Sequence, residues 1–223
     1  MSAERRIGLL GGTFDPIHIG HLETASAARR AVQLACVHVL PSNVPPHRAQ
    51  QPVASSHHRF AMTALAVNGI DGLRTSDIEL STPGPSFTAD TLTRFLHATG
   101  LAASQIFFIT GADAFAEIET WHRYPDVLDL ANFIVVSRPG FAVDALRDRL
   151  PALAGRMIEV NVSKPIADSQ EPAATSRSIF LANATTPDVS SSDIRQRLMA
   201  HQSIAGLVPA TVERHIAQHG LYV

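Results

Sequence analysis

The sequence predicts an α/β fold: a doubly wound parallel sheet with helices on both faces and a small helical C-terminal part. Three observations carry this. Short strand-like runs alternate with helix-like runs over the first two thirds of the chain, the order that builds a parallel sheet. Most of those strand-like runs are apolar throughout, as strands covered on both faces are. Glycine-rich or polar pieces follow them directly, at the carboxyl ends of strands, where such sheets bind ligands.

The elements follow in order. Ile7–Leu10 and Val37–Leu40 read as short buried strands. Between them His21–Leu34 is rich in Ala and Arg and free of Gly and Pro, which predicts a helix. Arg59–Val67 predicts a second helix, and Thr75–Leu80 alternates like a strand. Thr88–Thr99 predicts a third helix with Leu92, Phe95 and Leu96 on one face and Gly100 as its stop. Ile106–Ile109 and Phe133–Val136 are further strands, the first followed by Gly111 and the second by Arg138-Pro139-Gly140. Met157–Val162 and Ile179–Ala182 are strand candidates flanking a polar segment, Ser163–Ser178, that reads as a long loop. Ser192–Ala200 and Ala210–Gln218 predict two closing helices.

Composition narrows the function. Of 223 residues 45% are hydrophobic and only 17% charged, so a sizeable core is expected. The formal net charge of −2 does not suggest a polyanion as partner. No run approaches the roughly 18 apolar residues of a membrane span, and Met1–Arg6 shows no signal-peptide pattern. The expectation is a soluble, cytoplasmic protein with no nucleic-acid or membrane partner. The single cysteine, Cys36, reads as a small buried hydrophobe. The 11 histidines make a phosphate, metal or proton-handling site worth seeking.

The stretch Gly11-Gly12-Thr13-Phe14-Asp15-Pro16-Ile17-His18-Ile19-Gly20-His21 concentrates the chemistry. The glycine pair permits a sharp turn and close approach of a ligand to the backbone. The helix that follows offers free N–H groups and partial positive charge, which favour phosphate. The pattern is neither G-x-G-x-x-G nor a P-loop. His18 and His21, three apart, project to one side of a helical turn. Zinc would need further ligands, and Glu23 points elsewhere at helical spacing. A purely structural pair is the other alternative; phosphate contact at the helix start is favoured over both.

G-G-T-F-D-P-I-H-x-G-H resembles the signature of the nucleotidyltransferase superfamily that carries the H-x-G-H motif, and in its fuller form the bacterial nicotinate mononucleotide adenylyltransferases. Further pieces are similar to that family, in its order, along most of the chain. They are Pro41–Arg48 (PSNVPPHR), Ser86–Leu92 (SFTADTL), Gly111-Ala112-Asp113, Trp121, Ser137–Gly140 (SRPG) and Val189–Arg195 (VSSSDIR). The resemblance implies one Rossmann-like nucleotidyltransferase domain over 1–223, with a core of roughly 1–188 and a helical part, 189–223, carrying a second phosphate motif. It implies adenylyl transfer from ATP to nicotinate mononucleotide in NAD biosynthesis, giving nicotinate adenine dinucleotide and pyrophosphate.

The same resemblance assigns roles. His18, His21, Arg48 and Arg195 would be catalytic, holding the transferring phosphates. Gly11, Gly12, Thr13, Phe14, Gly111, Asp113, Ser190 and Ser192 would bind ATP beside them, though Ser192 could equally be only a helix N-cap. Asn43, His47, Thr88, Trp121, His122 and Arg138 would bind nicotinate mononucleotide; Arg138 could instead close a surface turn, and Trp121 could be a core anchor. Mg²⁺ would be held by substrate phosphates and water rather than by protein side chains. A homo-oligomer stays open. The rivals are the same fold acting on nicotinamide mononucleotide, phosphopantetheine or a cytidylyl donor, a nucleotide-binding sensor, and a class I tRNA synthetase fragment, for which no K-M-S-K-S-like signature is found.

Overall fold

A computed structural model describes residues 6–46, 52–162 and 177–223. Its strands are β1 (Ile7–Gly12), β2 (Cys36–Pro41), β3 (Leu73–Thr75), β4 (Ile106–Gly111), β5 (Asn132–Val136), β6 (Met157–Asn161) and β7 (Ile179–Asn183). Its helices are α1 (Ile19–Ala31), α2 (Ser56–Val67), α3 (Thr88–Thr99), α4 (Ala112–Phe115), α5 (Leu146–Arg149), α6 (Ser191–Met199) and α7 (Ala210–Gln218).

The seven strands form one sheet in the order β3-β2-β1-β4-β5-β7-β6, every pairing parallel. The chain runs outward from β1 to β3, then returns to β4 on the other side of β1. That reversal opens a crevice beyond the carboxyl ends of β1 and β4, where an open α/β sheet binds ligands.

Side chains alternate between two cores, because successive Cβ atoms in a strand point to opposite faces. Leu10 joins Ala25, Ala28, Met62, Ile194, Val212 and Ile216, so α1, α2, α6 and α7 cover one face. Ile7 and Leu9 join Leu92, Phe95, Phe115 and Leu146, so α3, α4 and α5 serve the other. Gly8 is small of necessity: a Cβ there would lie 2.7 Å from Leu34, 2.9 Å from Val37 and 3.0 Å from Ile109. Cys36 is buried and unpaired, as expected of a small hydrophobe. Gly100 stops α3 in the left-handed conformation, φ 68°, its N–H returning to the Leu96 carbonyl. No described helix is long and apolar enough to cross a membrane.

One expected strand is displaced. Thr75–Leu80 was to be extended, but β3 covers only Leu73–Thr75. Its pairing with Val37–Val39 ends there, with a last bond from Ser76 N–H to the Val39 carbonyl. Leu80 and Ser81 then donate back to the Asp77 carbonyl, which folds the segment into a turn. Alternation alone cannot hold an edge segment extended once its pairing with the neighbouring strand has ended.

Candidate active site

The end of β1 shapes the crevice. Gly11 and Gly12 do not make the sharp turn expected of them; the positive φ falls on Phe14, at 51°. Gly12 is required for a different reason, since a Cβ there would sit 2.7 Å from the Phe14 ring. That ring is buried, so Phe14 can offer a ligand only its backbone. The Asp15–Pro16 peptide is cis.

The loop after Gly12 is bolted down by buried polar groups. Asp15 accepts the N–H of Val53 (2.8 Å), the N–H of Ala54 (3.0 Å) and the hydroxyl of Tyr222 (2.8 Å). Burial and the Asp15 charge push the Tyr222 phenol far above its ordinary range. Arg59, 1% exposed, donates to four carbonyls: Thr13 (2.8 Å), Ser42 (2.6 Å), Asn43 (3.0 Å) and Ala54 (3.3 Å). It therefore ties the loop after β1 to the loop after β2. None of Asp15, Arg59 and Tyr222 was singled out from the sequence. Nothing in a lone arginine at a helix start announces that its partners are backbone carbonyls.

His18 is the N-cap of α1 and His21 lies in its first turn. Their rings stack with centroids 3.6 Å apart, and His21 Nδ1 accepts the His18 backbone N–H at 3.3 Å. The Phe14 ring meets His21 edge-on at 4.9 Å. A Cβ on Gly20 would crowd His18 Nδ1 at 3.1 Å, which explains the glycine of the motif. His18 is 3% exposed, and its Nδ1 is buried without a hydrogen-bond partner. Burial first, then the nearby Arg138 guanidinium, lowers its pKa from 6.5 to about 4. His18 is thus a neutral imidazole at neutral pH.

Other expected residues arrive with altered surroundings. Arg195 donates from Nη1 to the Asp15 carbonyl (2.7 Å) and from Nη2 to Ser192 Oγ (3.3 Å). The N-cap of α6 is Ser190, accepting from Asp193 N–H at 3.0 Å, and not Ser192. Ser191 Oγ donates to the Pro16 carbonyl at 2.9 Å. Asp113 follows Gly111, and its Oδ1 lies 3.9 Å from Arg138 Nε. A Cβ on Gly111 would come within 2.4 Å of that oxygen and 2.8 Å of Arg138 Nε, so a larger residue there would displace both side chains. Arg138 closes a turn through reciprocal backbone bonds with Phe141, while its side chain faces Asp113 and not the cavity beside Trp121. The Asn43 amide donates to the Thr82 carbonyl (3.0 Å) and its N–H to Ser86 Oγ (2.9 Å), so it shapes a loop and does not line the cavity. His47 and Arg48 lie outside the described residues.

A cavity of about 420 Å³ opens at the mouth of the crevice formed by the end of β1, and Gly11, Gly12 and Thr13 line it. Thr88, Trp121 and His122 line it, as does Phe87, which stacks on His122 at 4.4 Å. Trp121 packs edge-on against Phe108 (6.0 Å) and Phe133 (6.4 Å). It is therefore both core anchor and cavity wall. α3 begins at Thr88 with no side-chain cap, leaving the positive end of the helix dipole at the cavity. Glu79 also lines the cavity and was missed. It is buried, accepts the Thr91 hydroxyl at 2.8 Å, and is raised above the ordinary carboxylate range by that burial. No spacing in the sequence marks it, because it comes from the segment expected to be strand.

A parallel sheet with its crevice at β1 and β4, and an H-x-G-H pair on the helix that follows β1, defines a nucleotidyltransferase-class protein. The profile of the cytidylyltransferase-like family matches residues 9–197. A probable nicotinate-nucleotide adenylyltransferase of Desulfatibacillum aliphaticivorans is 39% identical over 226 residues, 98% of this chain and 100% of the relative. One of Trichlorobacter lovleyi is 38% identical, covering 97% of this chain and 99% of the relative. The chain belongs to the cytidylyltransferase-like family and, within it, to the nicotinate-nucleotide adenylyltransferases. The nicotinic acid mononucleotide adenylyltransferase of Plasmodium falciparum, solved in complex with APC, superposes with a TM-score of 0.72. That match covers 98% of this chain and 97% of the other; at 18% identity it speaks for the fold.

Proposed function

We infer that the chain transfers the adenylyl group of ATP to nicotinate mononucleotide, releasing pyrophosphate and forming nicotinate adenine dinucleotide. The observation that carries this is adjacency: Gly11, Gly12 and Thr13, which line the aromatic-walled cavity, lead directly along the chain into the loop that carries His18 and His21 at the start of α1. A pyridine nucleotide in the cavity can therefore turn its phosphate toward an ATP at the mouth.

The reaction needs no side-chain nucleophile. A phosphate monoester has a second pKa near about 6, so the acceptor is already mostly dianionic at neutral pH. Its oxygen attacks the α-phosphorus of ATP, the bond to the bridging oxygen breaks, and pyrophosphate leaves with that electron pair. Positioning and charge stabilisation then supply nearly all the rate. His18, neutral and held as N-cap, acts as a fixed hydrogen-bond donor to the α-phosphate rather than as a proton source. Accepting at Nδ1 places the proton of neutral His21 on Nε2, making that nitrogen a donor too. Arg195 holds the loop through the Asp15 carbonyl and adds positive charge beside the phosphates.

Trp121 offers its ring to the pyridine, and the uncapped start of α3 at Thr88 favours the nicotinate carboxylate. The backbone after Trp121, at His122, provides a second contact. Asp113 serves the nucleotide at the mouth, and residues 189–223 act with the core as one domain.

Mg²⁺ fits this donor set as a companion of the triphosphate. Asp15 is consumed by three donors, Asp113 lies beside Arg138, and Glu79 is engaged by Thr91, so no cluster of free carboxylates offers itself among the described residues. Mg²⁺ is commonly held by substrate phosphates and water with few protein ligands. Its contribution when bound is to offset phosphate charge.

The test is pyrophosphate release from MgATP with nicotinate mononucleotide, nicotinamide mononucleotide and phosphopantetheine compared. A strong preference for the first is expected. Equal rates with both pyridine nucleotides, or no turnover with either, overturns the assignment.

A further inference from the structure

Three histidines meet away from the nucleotide mouth. His215 lies on α7 and His219, one turn further on, is the C-cap of that helix, while His58 comes from the first turn of α2, against which α7 packs. His58 Nδ1 is 3.1 Å from His215 Nε2. The ring centroids are 5.3 Å apart for His58 and His215, 4.9 Å for His58 and His219, and 4.4 Å for His215 and His219. One ring nitrogen from each lies within 4.8 Å of the others. Among the described residues no other group of three metal-ligating side chains converges in this way.

The spacing suits a small ion. Tetrahedral Zn²⁺ with bonds of about 2.0–2.1 Å holds its ligand nitrogens about 3.3 Å apart. The His58–His215 pair is already at that separation, and His219, exposed at the end of α7, can close on it by side-chain rotation. The donors are all imidazole, which suits Zn²⁺, Cu²⁺ or Ni²⁺ and not the hard, oxygen-seeking Mg²⁺. Metal binding requires neutral rings.

We propose that His58, His215 and His219 form a site for a borderline divalent transition-metal ion, Zn²⁺ foremost, with water as the fourth ligand. The ion clips α7 to α2. His58 directly precedes Arg59, and Tyr222 follows His219 by one turn's length, so the clip joins the two segments that bolt the loop after β1. It touches neither the mouth nor the cavity, and its role is to stabilise rather than to catalyse.

Untagged, chelator-stripped protein titrated with ZnCl₂ by calorimetry and with CoCl₂ by visible absorption tests this. One ion per chain, a tetrahedral Co²⁺ spectrum and a Zn²⁺-dependent rise in Tm are expected. His215→Gln and His219→Gln should each weaken Zn²⁺ binding by more than the roughly 10- to 100-fold seen when only a ligand's supporting hydrogen bond is lost. Both should abolish the rise in Tm while leaving metal-free Tm and MgATP-dependent turnover unchanged. His58→Gln, on the other helix, gives the same test should an α7 variant fail to fold. His97→Gln, an exposed histidine on α3, should bind Zn²⁺ like the unaltered chain. Zinc affinity that survives the double substitution of His215 and His219, or the absence of any Zn²⁺-dependent rise in Tm in the unaltered protein, overturns the proposal.

Discussion

The mouth at the end of β1 and the cavity beside it are neighbours but are held by different physics. The mouth is fastened by buried polar groups: Asp15 takes three donors and Arg59 feeds four carbonyls. The cavity is walled by packed rings, with Trp121 on Phe108 and Phe87 on His122. Hydrogen bonds to fixed carbonyls are directional, so the mouth has one geometry. Ring packing tolerates small shifts, so the cavity can adjust while the loop after β1 keeps its geometry.

The sharpest way to break the mouth is Arg59→Met. It leaves the carbonyls of Thr13, Ser42, Asn43 and Ala54 without their donor, and unfolding stability should fall by at least about 3 kcal/mol in denaturant titrations. Arg59→Lys should rescue little, since a point charge cannot serve a fork of acceptors. His18→Ala comes next. It should lower kcat by about 10²- to 10³-fold, the size of losing one preorganised donor, with KM for the acceptor nearly unchanged.

The same histidine links stability to pH. Its folded pKa, about 4, lies below the unfolded 6.5, so its contribution is present above pH 6.5 and lost as pH falls toward 4. Up to about 3 kcal/mol should disappear over that window. In His18→Asn, acid titration of unfolding should be flatter there; an identical slope would show that another group carries it.

On the cavity side effects should be smaller and fall on KM. Trp121→Ala should raise KM for nicotinate mononucleotide by roughly 3- to 10-fold, the worth of an aromatic contact beyond its buried area, with kcat less affected than by His18→Ala. Glu79→Gln should have the mildest consequence. Its carboxyl is raised in the folded state, so the natural protein loses stability as pH climbs above the ordinary carboxylate range. Glutamine removes that slope while keeping an acceptor for Thr91, and its pH–stability curve should stay level where the natural curve declines.

The same contrast explains what could be read in advance. Helix α3, with Leu92 and Phe95 inward and Gly100 at its end, was legible because period and stop signal agree. The parallel pairing of the strands and the position of His18 and His21 on one side at the start of α1 were legible for similar reasons. Arg59 and Tyr222 were not, because their partners lie in distant segments or in the backbone, which leaves no local pattern. The sharp turn expected at Gly12 is not what requires a glycine there: the Phe14 ring demands it, and a tertiary contact is invisible in spacing. The three histidines of α2 and α7 were hidden likewise; only the four-residue step from His215 to His219 hinted at them.

The hydroxyl of Tyr222 reaches Asp15 across 207 positions of sequence. Seen as an order of synthesis, the loop that begins the site is made 207 residues before one of its own fastenings. A nascent chain can close β1 against β2 and β4, yet Asp15 lacks one of its donors until residue 222 has emerged and α7 has docked. The loop is therefore fastened in part by a segment synthesised well after it.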